Sequence, residues 1–113
     1  MADPNVWKQA HVSITATGDA TIVAAVSDKV IAVKAVHLNI HDAASTFIWK
    51  DGSTALNSQA IEVADGGNYI LSPVPADVNA SWIRTTKGSA LVLAVASSGT
   101  PDVVGIVLYT EVT

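Results

Sequence analysis

The sequence contains no cysteine. Disulfides and thiolate metal centres are therefore excluded, and stability has to come from packing or from association. Charge is also scarce. Only 14% of the 113 residues are Asp, Glu, Lys or Arg, against roughly 25% in ordinary soluble domains. Lys8, Lys29, Lys34, Lys50, Arg84 and Lys87 are scattered singly along the chain. With no basic cluster to neutralise a run of phosphates, nucleic acid is not an expected partner. No apolar run reaches the ~18 residues that suggest a membrane-spanning helix, so a membrane is not expected either. Segment 1–8 is polar, contains Pro4 and lacks the basic start and apolar stretch of a signal peptide. The expected site of synthesis is a cytoplasm. Helix patterning is missing too, since Leu, Glu, Lys and Arg do not recur at helical spacing.

What is present is small and apolar. Half the residues are hydrophobic, and most of that excess is Ala and Val. A chain of this length suits one domain, and folding removes roughly two thirds of its exposed surface from water. A monomer so poor in charge leaves apolar surface uncovered, and large uncovered patches mark interaction sites. The alternative is a well-filled monomer surfaced with Ser and Thr.

Val, Ile and Thr favour strands. Turn signals recur at Thr17-Gly18-Asp19, Ser27-Asp28-Lys29, Asp51-Gly52-Ser53, Asp65-Gly66-Gly67-Asn68, Lys87-Gly88 and Ser98-Gly99-Thr100-Pro101. Between them the pattern predicts strands over His11–Thr17, Thr21–Val26, Val30–His41, Thr46–Lys50, Ala60–Val63, Tyr69–Leu71, Trp82–Thr86, Ala90–Ala96 and Val103–Val112. The first two are expected to form a hairpin about Gly18-Asp19. Ser72–Ala80, with Pro73 and Pro75, reads as a loop because proline cannot donate to a ladder. The expected fold is all-β, an antiparallel β-sandwich or jelly roll of about eight or nine short strands. Residues 11–113 form the single domain, preceded by an N-terminal arm over 1–10.

Two strands look apolar on both faces, Leu91-Val92-Leu93-Ala94-Val95 and Val103-Val104-Gly105-Ile106-Val107-Leu108. Each strand of a two-layer sandwich has one core face, so an apolar outer face needs other cover. Leu91, Leu93, Val104, Ile106 and Leu108 are accordingly candidate subunit-interface residues.

Catalytic signals are absent. His37 and His41 lie four apart on one strand face, roughly 13 Å at strand rise, too far to share a metal ion. His11 is remote in sequence, and a metal-dependent enzyme would need all three histidines to converge. Most acidic residues fall at turns, where Asp bonds nearby amides. No pair stands out for acid–base work, and neither a nucleophile elbow nor a phosphate loop occurs. The expectation is a non-enzyme with no cofactor and no metal site. Among the aromatics, Trp49 reads as core and Tyr109 as core or interface. Trp7 lies in the polar segment before the first strand, either folded back on the sandwich or contacting a neighbour. Trp82 and Tyr69 are the candidate platform if the protein binds glycans.

Three stretches carry a family resemblance. They are Thr15–Val26 leading into Lys29–Val33, then Phe47-Ile48-Trp49-Lys50-Asp51-Gly52-Ser53-Thr54-Ala55-Leu56, and finally Val103–Val112. Together they resemble the small β-sandwich structural proteins of tailed bacteriophages, and capsid decoration (cement) proteins fit best. The resemblance implies a virion protein on the capsid surface, made in the host cytoplasm. It implies a homo-oligomer, with a trimer usual for the group, and the major capsid protein as partner. In that setting 1–10 is the candidate arm that orders on contact, with Trp7 and Lys8 as candidate capsid contacts. The alternative is a carbohydrate- or receptor-binding module of a phage tail or head fibre.

Overall fold

The computed structural model describes residues 6–57, 59–74 and 81–113. Every regular element among them is a strand: β1 (Lys8–Ile14), β2 (Gly18–Val23), β3 (Val30–His41), β4 (Ser45–Asp51), β5 (Thr54–Ala55), β6 (Ile61–Val63), β7 (Asn68–Leu71), β8 (Ile83–Arg84), β9 (Leu91–Ser97) and β10 (Asp102–Val112). The first sheet has the order β1-β10-β3-β7, with β8 also on β3. The second has the order β2-β9-β4-β5, with β6 also on β4. All pairings are antiparallel. The chain changes sheet at every connection except those from β4 through β5 to β6 and from β7 to β8. That alternation is the jelly-roll form of the sandwich.

The expected hairpin at Gly18-Asp19 does not form. β1 pairs with β10 and β2 with β9, so the segment between them crosses from one sheet to the other. Alternating local pattern alone does not say which strand lies next door. The sandwich also begins earlier than expected. Lys8, Gln9 and Ala10 pair with Tyr109, Leu108 and Val107, so these three belong to the sandwich and not to the expected arm. Its residues 1–5 lie outside the described part, as do 75–80 of the loop at Ser72–Ala80. The strand count among the described residues is ten, one more than the nine predicted, because Thr54–Ala55 adds a two-residue piece beside β4.

Alternation explains the core. In β4, Phe47 and Trp49 are buried while Thr46, Ile48 and Lys50 are not fully so. Opposite them in β9, Leu93 pairs with Trp49 and Val95 with Phe47. Leu91 and Leu93 are 0% exposed, which places them in the core and not at a subunit interface. Two-sided apolarity in that strand comes from Val92 and Ala94, whose ladder partners Thr21, Lys50, Asp19 and Ile48 help cover them. In β3 the core parity changes at Lys34, the extra residue where Tyr109 pairs with Val33 and Leu108 with Ala35. Ile31 and Val33 therefore point inward before the shift, and Val36, Leu38 and Ile40 after it.

Tyr69 completes the aromatic core. Its ring stacks on Phe47 with centroids 5.9 Å apart, and its hydroxyl accepts a 2.9 Å hydrogen bond from Trp49 Nε1. Burial raises the Tyr69 pKa, and the Trp49 bond offsets this only in part. The folded state therefore resists ionising this phenol. Its contribution is complete below the ordinary tyrosine pKa near 10 and is lost as pH rises through the higher folded value. Tyr69→Phe strands the Trp49 N–H and is expected to cost about 1–2 kcal/mol in urea unfolding at neutral pH. It should also make the alkaline unfolding limb shallower. A variant as stable as the parent would show that the bond contributes nothing.

Candidate functional site

Strand pairing places the outward residues of the first sheet in rows that run across β1, β10, β3 and β7. One row is Ser13–Val104–Asn39–Asn68. The next is His11–Ile106–His37–Ile70, and the third is Gln9–Leu108–Ala35. None of these residues is Asp, Glu, Lys or Arg. Val104, Ile106 and Leu108 are half-buried along β10, and Ile70 is 56% exposed beside them. A groove of about 260 Å³ runs between Ile106 and Leu108 on one side and Ile70 and Pro73 on the other. Three of the five sequence-predicted interface residues, Val104, Ile106 and Leu108, thus gather on one open face. Ile70 joins them without having been singled out. Its only sequence signal is alternation, which sets it opposite Tyr69 and does not say which of the two faces the core.

The outer face of the second sheet differs. Asp19 and Lys50 form an ion pair there at 3.1 Å, among Thr21, Thr46 and Glu62. The first sheet presents an uncharged outer face and the second a charged one.

Charge is also divided between the ends of the sandwich. Around the end where Val30 pairs with Val112 lie Lys8, Lys29, Arg84 and Lys87, with the acids Asp28, Asp51 and Glu111. Lys8 is bonded to Glu111, and that bond, reinforced by the Glu111 charge, raises the Lys8 pKa. The opposite end, where His41 pairs with Asp102, carries Asp42, Asp65 and Asp102 and no Lys or Arg among the described residues. Near it a shallow depression of about 680 Å³ lies between Thr46, Glu62 and Ser98. The nearby Ser45 and Ser97 hydroxyls donate to the Ala43 and Ala44 carbonyls.

The remaining sequence-predicted residues separate. Trp82 is 50% exposed at a groove of about 230 Å³ bordered by Leu56, Asn57 and Ile83. Tyr69 lies at its floor, buried, so the two aromatics do not make an exposed platform. Core packing against Phe47 and Trp49 is the reason. Trp82 Nε1 donates to the Ser72 carbonyl at 2.7 Å. Asn57 accepts from Trp49 N and donates to Gln59 O. Trp7 is partly buried just before β1, and the Lys8 ammonium is held by Glu111, within the chain. His11 and His37 flank Ile106 in one row, while His41 stands beyond them. Among the described residues no three His, Asp or Glu side chains gather into a metal-binding group.

A scan against protein-family models and a search of curated proteins each find no match.

Proposed function

We propose that this chain is a virion structural protein that coats a capsid, a decoration protein that associates with copies of itself and binds across neighbouring copies of the major capsid protein. One observation carries the reading, the uncharged and half-exposed stripe of Val104, Ile106, Leu108 and Ile70 on the first sheet. An exposed apolar face of this kind is suited to being covered by another subunit. The jelly roll supports it only as fold-level analogy, since the same sandwich serves capsid and lectin domains alike. The chemistry would be mechanical. Area buried across adjoining capsid subunits adds to the free energy that must be overcome before a pressurised shell opens. Residues 1–7 lead into the exposed edge strand β1 and are the segment proposed to reach the shell, with Trp7 as its anchor.

The glycan-binding alternative is less favoured. Tyr69 is buried, and the Trp82 N–H and the Asn57 amide are already bonded within the chain. The groove offers mainly apolar walls, whereas sugar recognition needs well-placed polar groups beside an aromatic face.

Co-sedimentation with undecorated shells of the same virus tests the proposal. Saturable binding, and shells that withstand heating better when coated, are expected. Protein that stays in the supernatant at micromolar concentration would overturn it.

A further inference from the structure

We infer that the outer face of the first sheet docks on the same face of a second copy of this chain, with the two sets of strands antiparallel about a two-fold axis across the His11–Ile106–His37–Ile70 row. The inference rests on the assembly reading of this face and specifies its geometry.

The centre of the face selects the kind of partner. The chain carries a net charge of −4, so two copies repel unless they meet where charge is absent. The three rows around Ile106 provide such a place. A strongly charged partner would gain nothing from it and would lose hydration. Two sheets can stack with side chains interleaved, about 10 Å apart and with strands nearly aligned. The apolar stripe then meets its own copy, as an isologous interface requires.

The ends select the orientation. A two-fold axis in the plane of the interface and perpendicular to the strands reverses strand direction but keeps the order of strands across the sheet. The β7/β8 edge of one copy then lies over the same edge of the other, the acidic end against the mixed end that carries Arg84. Arg84 stands beside Ala32, whose β10 partner Thr110 is four residues beyond Ile106. On the other side of the axis, Asp65 precedes Gly66 and Gly67, which bond to Ile40, and Ile40 pairs with Val103, three residues before Ile106. The axis therefore brings Arg84 of each copy toward Asp65 of the other, twice per dimer. Stacking with strands parallel would instead lay the end with Asp42, Asp65 and Asp102 over the same acidic end of the other copy. A three-fold ring with strands along its axis would gather those acids at one end. The same charge pattern that favours the antiparallel pair disfavours the trimer common in the resembling group.

Sedimentation equilibrium of the full chain, at low and physiological salt, tests this. A dimer that weakens as salt rises is expected, because the end-to-end pairing is partly screened. Ile70→Glu sets a carboxylate on the axis against its own copy at a site already open to water. It is expected to weaken association roughly tenfold or more while thermal unfolding of the protomer stays unchanged. Arg84→Glu and Asp65→Lys should each weaken it by about threefold to tenfold, and the double variant should return it to within about twofold of the parent. A monomer, a trimer, or a dimer indifferent to Ile70→Glu and to the charge swap would overturn the inference. Shell binding is read in parallel. A monomer that still coats shells would overturn the pairing and leave the decoration reading standing. A dimer with the expected swap behaviour that ignores shells would do the reverse.

Discussion

Gly105→Ala is expected to cost the fold about 3 kcal/mol, read as a lowered urea midpoint with an unchanged slope. A Cβ built on Gly105 lies 2.0 Å from the His37 carbonyl oxygen and 2.9 Å from the Leu38 Cα. These atoms belong to the backbone of the neighbouring strand, so no side-chain rotation relieves the contact. β10 and β3 would have to part at the centre of the first sheet, where their eleven-pair ladder supplies the longest pairing in the molecule. Gly99→Ala is the control. Its added methyl meets the Ala43 Cβ at 3.4 Å, and the expected change is within about 1 kcal/mol. If Gly105→Ala were as stable as the parent, the close approach of β10 to β3 would be wrong. The proposed interface, which lies over these two strands, would go with it.

Leu93→Ala and Ile106→Ala are expected to separate folding from assembly. Leu93 is 0% exposed and packs in the core beside Trp49. Its truncation leaves a cavity and should cost about 2–5 kcal/mol of protomer stability. Ile106 is only half-buried and points away from the core. Its truncation should change protomer stability by no more than about 1 kcal/mol. Self-association should weaken all the same. Unfolding at a concentration where the protein is monomeric, paired with sedimentation at a concentration where it associates, distinguishes the two effects. Equal loss of stability in both variants would place Ile106 in the core and remove the face.

The contrast between Leu93 and Ile106 also shows what local pattern can convey. Both strands read as apolar on two faces, and nothing in LVLAV or VVGIV says which face turns inward. In β9 the inward set is Leu91, Leu93 and Val95, and small or short side chains form the other face. In β10 the inward set is Val103 and Val107, so the larger Ile106 and Leu108 are left outside. Tyr69 and Ile70 repeat the lesson over two residues. The tyrosine, an attractive binding residue by type, fills the core, and the unremarked isoleucine faces solvent. The pair of tryptophans divides in the same way. Trp49 was legible as core because Phe47 alternates with it. Trp82 was ambiguous because it stands just before a strand only two residues long and so has no alternation to read.

Charge tells a related story. The sequence shows its acids and bases scattered singly, with no run of either sign, and so suggests no electrostatic device. Their division between the two ends arises because successive connections of an antiparallel sandwich return to the same ends. Asp42, Asp65 and Asp102 are far apart along the chain, yet they flank connections that share one end.

By itself the sequence determined the all-β class and the places of most strands, since β-branched alternation and turn residues act over a few neighbours. The long strand Val30–His41 and the final strand were legible almost to the residue, and so was the burial of Phe47 with Trp49. Only the tertiary structure decided which strands are neighbours, because pairing depends on contacts between residues distant in sequence. It joined β1 to β10 and sent β2 to the other sheet. It also assigned the inner and outer face of each two-sided strand, because that choice is made by what packs opposite and has no local signature.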